Sequence, residues 1–165
     1  MDEYGQHYIP RSEEQYPPPT SSDFTFNTEF VPDALKELLD EMLYALAGGK
    51  LRLATLALRM TIEFIVNDAN CKGSNLQQKI DDLKERDLIG EIQKDLLHKI
   101  RLKGNRSAHA ARPMGRAEMV AGMGIVDLLL EAFYSGPARK QRLISLAQGA
   151  FADDGERNIQ FIEFS

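Results

Sequence analysis

Cysteine is almost missing from this chain. Cys71 is the only one in 165 residues, which excludes an intrachain disulfide framework and any cysteine-based zinc site. A reducing, cytoplasmic setting is expected. Histidine is nearly as scarce. His98 and His109 are the two that lie close in sequence, and they are too far apart for the i, i+4 pair of a helical zinc site. No metal and no cofactor is therefore expected. Walker, GxGxxG and GxSxG spacings are all lacking. The longest apolar stretch, Met119 to Tyr134, is broken by Asp127 and Glu131 and falls short of the roughly 18–20 residues of a membrane span. The opening MDEYGQHYIP holds acids and no basic n-region, so neither a signal peptide nor a membrane partner is expected.

Basic excess is also lacking, since the net charge is -5. The acidity is local. Residues 1–33 hold seven acids, one base (Arg11) and five of the seven prolines. Such composition buries no core and favours extended chain. The expected organisation is an acidic proline-rich arm over 1–31, a helical domain over 32–150 and a tail over 151–165. Phe24, Phe26 and Phe30 are costly to leave in water, so the end of the arm is expected to lie along the body as an extended segment.

From Pro32 the apolar period becomes helical. Leu35, Leu38, Leu39, Met42, Leu43 and Leu46 make one face, and Gly48-Gly49 ends the helix. A second helix, about 50–67, is apolar nearly all round and is expected to be covered by others. Ser74-Asn75-Leu76-Gln77 reads as a capping box opening a third. A fourth carries Ile92, Leu96, Leu97 and Ile100. A fifth, about 116–134, is expected to stop at Ser135-Gly136-Pro137. A short sixth spans about 139–148, and ERNIQFIEFS alternates weakly enough to allow a short strand. The fold class is all-α, an up-and-down bundle of about five to six helices. The apolar stripes of the first, second, fourth and fifth form its core.

Two polar sets stand where apolar residues would fold better. Arg59 and Glu63 are four apart inside ALRMTIEFIV and share a helix face. An unpaired buried ion costs several kcal/mol (roughly 3–5 when one partner is removed), so both need partners. In LLHKIRLKGNRSAHAA, Arg101, Asn105 and His109 are spaced four and four, and His98 extends the stripe. Gly104 implies a kink or a close approach by another chain. A structural ion pair and a hydrogen-bonded histidine explain these sets without catalysis. The same groups offer general acid–base chemistry from His109 and phosphate neutralisation from Arg101. Glu63 is expected beside Arg101, with Arg59, Asn105 and His109 completing one cluster. Lys99, Lys103, Arg106 and Arg112 share the segment and are candidates for phosphate contacts, with a solvated basic turn as the plainer reading. The acidic arm is a candidate to fold over them. Gly122-Met123-Gly124 lies in an apolar helix, where small residues serve close packing. Cys71, in a loop with no histidine near it in sequence, is a poor nucleophile candidate.

The order ALRMTIEFIV, SNLQQKIDDL, LHKIRLKGNRSAH and a long apolar helix ending in YSGP resembles a bacterial family of unknown function often fused to restriction endonucleases. That family is grouped with the HEPN superfamily (higher eukaryotes and prokaryotes nucleotide-binding). The resemblance covers roughly residues 30–145. It implies a helical bundle that dimerises, and for catalytic members a metal-independent endoribonuclease. In these, Arg and His of two protomers meet, the ribose 2′-OH attacks the adjacent phosphate, His moves the proton and Arg stabilises the charge. Carried over, Arg101 and His109 are the catalytic pair and Asn105 the polar helper, while Arg59, Glu63 and His98 are expected as a supporting polar cluster. Seven residues separate Arg101 from His109, more than in the usual motif, and Leu102 stands where a polar residue follows the Arg. The zinc ribbon frequent in that subfamily has no cysteines here. The leading expectation is thus a non-catalytic interaction and dimerisation module working beside a prokaryotic defence or nucleic-acid-processing system. Its expected partners are a second copy and either RNA or a nuclease. An endoribonuclease is the first alternative, and a nucleotide or small phosphate ligand at the same cluster the second.

Overall fold

The structure is a computed structural model that describes residues 24–109 and 112–162, with side chains over 24–105 and 112–152. The arm before Phe24 lies outside the described residues. Helices are α1 (Asp33–Ala47), α2 (Leu51–Asp68), α3 (Leu76–Glu85), α4 (Glu91–His109), α5 (Arg116–Leu130) and α6 (Gly136–Ile162). No strand occurs among the described residues. The chain is an all-α bundle.

Periodicity becomes packing directly in α1. Leu35, Leu39, Met42 and Leu46 are fully buried at the i, i+4, i+7, i+11 positions. Gly49 then takes a left-handed φ of 68°, a conformation that costs glycine little, and the chain reverses into α2. α2 is the central element, packed by α1, α3, α4 and α5. Its core face is Leu58, Ile62 and Ile65, which meets Ile80 and Leu83 of α3, Leu97 of α4, and Met119 and Met123 of α5 in one core. Gly122 is where α5 presses on α2, because a Cβ there would stand 2.6 Å from Leu58 Cδ2. Phe24 and Phe26 stack edge to face at 4.9 Å in a non-helical stretch and pack on the core.

Four expectations are corrected. α2 is not covered all round, since Leu53 and Met60 stay exposed. The cap of α3 is Asn75, whose Oδ1 accepts from the Gln78 N–H at 3.0 Å, one residue later than the capping box implied. Ser135-Gly136-Pro137 does not stop α5. Residues Glu131–Ser135 form a π turn in which the Gly136 N–H reaches the Glu131 carbonyl, and α6 follows without a break. The wider turn accommodates the N–H that Pro137 lacks. Gly136 is needed there, because a Cβ would lie 2.7 Å from the Glu131 carbonyl oxygen. The segment read as a weak strand is helical through Ile162.

The α5–α6 rod over Arg116–Ala152 is long and apolar enough to cross a membrane by length and composition, and 39% of its apolar window is buried in the bundle. Met119, Met123, Val126, Leu129 and Leu130 are core residues in that part. α6 itself packs on nothing beyond the π turn among the described elements.

Candidate functional site

The Arg59–Glu63 helix turn meets α4 at Gly104. Gly104 is buried, and a Cβ on it would stand 2.7 Å from both Cβ and Cδ of Arg59. The glycine admits a close approach, by α2 of the same chain, and α4 runs on as helix through His109. The close approach lets the Arg59 guanidinium reach two groups. Its Nε donates to Asn105 Oδ1 at 2.9 Å, and its Nη1 donates to Glu63 Oε2 at 3.0 Å. Arg59 is the less exposed partner of that ion pair, with 23% of its side chain accessible against 40% for Glu63. A charge-assisted bond in such partial shelter is geometrically specific and fixes the register of α2 on α4.

The remaining predicted residues divide. Arg101 lies one turn before Asn105, half-buried, with its Nε enclosed and without a hydrogen-bond partner among the described residues. The Glu63 carboxylate is held by Arg59, and no ion pair to Arg101 forms among the described residues. His98 stands seven residues before Asn105, about 10 Å along the axis, and its Nε2 is 2.9 Å from Asp81 Oδ1 of α3. It therefore ties α4 to α3 rather than joining the Arg59 network. The side chains of Arg106 and His109 lie outside the described residues, so Arg59, Glu63 and Asn105 are the predicted residues brought into direct contact.

The basic segment splits as well. Lys99 and Lys103 turn towards α5 and line a concavity of about 310 Å³ with Ile100, Met114 and Ile125. Lys103 is already paired, 2.9 Å from Glu118 Oε1. The other Glu118 oxygen accepts the Gly115 N–H at 2.8 Å, capping α5. That backbone bond, followed by Lys103, holds the Glu118 carboxyl below its ordinary value. Lys99 and Arg112 are exposed.

Three side chains that organise this region gave no clear signal in the sequence. Thr55 is fully buried on α2. Its hydroxyl donates to the Leu51 carbonyl at 2.7 Å and accepts the Met114 N–H at 3.1 Å, pinning the entry to α5. Asp82, buried on α3, accepts the Lys72 N–H at 3.0 Å and meets Arg86 at 3.4 Å. Tyr134 of the π turn donates to Asp68 Oδ2 at 2.8 Å, and burial together with that carboxylate pushes its phenol well above the ordinary range. Cys71 is buried, and desolvation raises its thiol, which opposes nucleophilic use. No three metal-ligating side chains converge among the described residues.

A family model described as a domain of unknown function, DUF4145, matches residues 40–145. The matched span runs from within α1 into the start of α6 and contains the Arg59–Asn105 junction. No curated protein and no solved structure matches the chain.

Proposed function

Given that the chain belongs to the DUF4145 family of domains of unknown function, we propose that it is a non-catalytic, HEPN-like interaction and dimerisation module. Its setting is a prokaryotic defence or nucleic-acid-processing system. One observation carries the non-catalytic part. Asn105, the polar helper of the motif, accepts a hydrogen bond from Arg59 of the same chain, so the group that would orient a histidine or a ribose is engaged in holding α2 to α4. The long Arg101–His109 spacing and Leu102 point the same way. So does the division of the basic segment, in which Lys103 is neutralised by Glu118.

A second reading, a metal-independent endoribonuclease using Arg101 and His109 across a dimer, is favoured by one feature. Arg101 keeps an enclosed Nε with no partner among the described residues, and a guanidinium with an uncommitted N–H is suited to a phosphate. RNA cleavage in EDTA by the wild-type chain and by His109→Ala, both first shown to be folded, separates the two. The expected result is a dimer that leaves a broad RNA pool intact. Products with 2′,3′-cyclic phosphate ends, lost in His109→Ala, overturn the non-catalytic reading and put the ribonuclease in its place.

A further inference from the structure

Two apolar surfaces stay exposed among the described residues, and they match each other. The first is on α6. Leu143, Leu146, Ala147, Ala150 and Phe151 follow i, i+3, i+4, i+7, i+8, one helix face. Leu143, Leu146 and Phe151 are 57%, 63% and 75% exposed. Arg139 and Lys140 stand one turn earlier on that face, and both are exposed. A monomer rarely leaves such a patch to water. The second surface is a groove of about 880 Å³ between α1 and α2. Leu38, Leu53 and Met60 line it with Phe24 from the segment before α1, and Asp40 and Glu41 stand among them.

We infer that α6 of one copy docks into the α1–α2 groove of a second copy, and that the exchange is reciprocal. Three observations select this occupant. The helix continues α5 through the π turn and meets no other element among the described residues, so its own groove does not take it. Phe24 and Thr25 form one wall of the groove, while Leu53 and Met60 on its floor stay 59% and 46% exposed, so room is left for a further apolar face. The Arg139–Lys140 end of α6 complements Asp40 and Glu41. An amphipathic helix laid in an apolar groove is a recurrent mode of recognition. Each copy offers one helix and one groove, so a two-fold arrangement satisfies both and closes. The inference rests on the dimerisation part of the proposed function and names its interface, which is separate from the Arg59–Asn105 junction.

The test uses the full chain. Sedimentation velocity of the wild type should give a dimer at micromolar concentration. Leu146→Glu with Phe151→Glu should weaken it about a hundredfold, a tenfold loss at each of two anchors. At a concentration low enough for both chains to be monomeric, the urea midpoint should hold, because α6 packs on no described element beyond the π turn. Leu53→Glu should do the same from the groove side. A mixture of one chain carrying Leu53→Cys and another carrying Leu146→Cys should form a reducible cross-link between copies, with the buried Cys71 contributing little background. A dimer that survives these substitutions and gives no cross-link overturns this interface while leaving dimerisation standing. A wild-type monomer overturns both, whether it stays free or binds phosphatidylcholine–phosphatidylglycerol vesicles.

Discussion

Arg59 and Gly104 pack so closely that neither position has room for more atoms. The arginine stem lies where a glycine Cβ would be, at 2.7 Å from both Cβ and Cδ. Arg59 Cβ is fixed to the α2 backbone and cannot swing away, so Gly104→Ala must push α4 off α2. Overpacking of this kind costs about 1–3 kcal/mol, and the better helix propensity of alanine returns about 1. The expected net effect is a loss of about 1 kcal/mol in urea unfolding, with a weakened Arg59–Asn105 bond. Gly124 is the control. It also lies inside a helix, and a Cβ there meets nothing within 4 Å, so Gly124→Ala should stabilise the chain by up to about 1 kcal/mol. Equal effects at the two positions would refute the close approach.

Thr55 is expected to be more sensitive than its neutral, buried position implies. Valine fills its shape and removes the acceptor for the Met114 N–H, which is then buried without a partner. That omission costs about 1–3 kcal/mol. Thr55→Ser keeps the hydroxyl and loses one methyl, about 1 kcal/mol. Urea midpoints should therefore rank wild type above serine and serine above valine. A valine variant as stable as the wild type would show that the hydroxyl does not hold the α5 entry.

How much of this was legible in the sequence depends on whether a contact is made along one helix or between two. The α1 face read directly, because Leu35, Leu39, Met42 and Leu46 share a side whatever they touch. The Arg59–Glu63 pair read for the same reason. The role of Gly104 did not, since spacing within α4 leaves a kink and a close approach equally open, and its register against α2 is what puts the Arg59 stem 2.7 Å from where a Cβ would stand. Leu53 and Met60 looked like core because apolar content does not reveal whether a neighbour is present. Pro137 looked like a stop, yet a π turn absorbs a missing N–H as readily as a chain break does. Thr55 was silent, because its value lies in a backbone group 59 positions away.

The Cys71 thiol gives a readout of bundle opening. Burial raises it above its ordinary value and outweighs the lowering effect of Arg86, 3.7 Å away. At neutral pH, alkylation of the native chain should be much slower than alkylation of the urea-unfolded chain. The native rate should rise with each destabilising substitution above, in proportion to the open population. A native rate equal to the unfolded rate would mean that the α2–α3 loop is already open.

Asp82 should set the acid limb of stability. The Lys72 N–H, its largest influence, lowers the carboxyl from the ordinary 3.8, and Arg86 adds to the lowering against the opposing effect of burial. A carboxyl depressed in the folded state favours folding wherever the unfolded chain still holds more protons. Its stabilising share is therefore complete above the ordinary value. It is lost as pH falls from there through the depressed folded value, and is gone below both. Asp82→Asn keeps an acceptor for the Lys72 N–H and removes the titration. Wild-type stability, followed by urea unfolding from pH 6 downward, should fall below about pH 4 more steeply than that of Asp82→Asn, and the two curves should converge at the acid end. Parallel curves would mean that Asp82 ionises alike in the folded and unfolded chains, and that its contact with the Lys72 N–H does not bias folding.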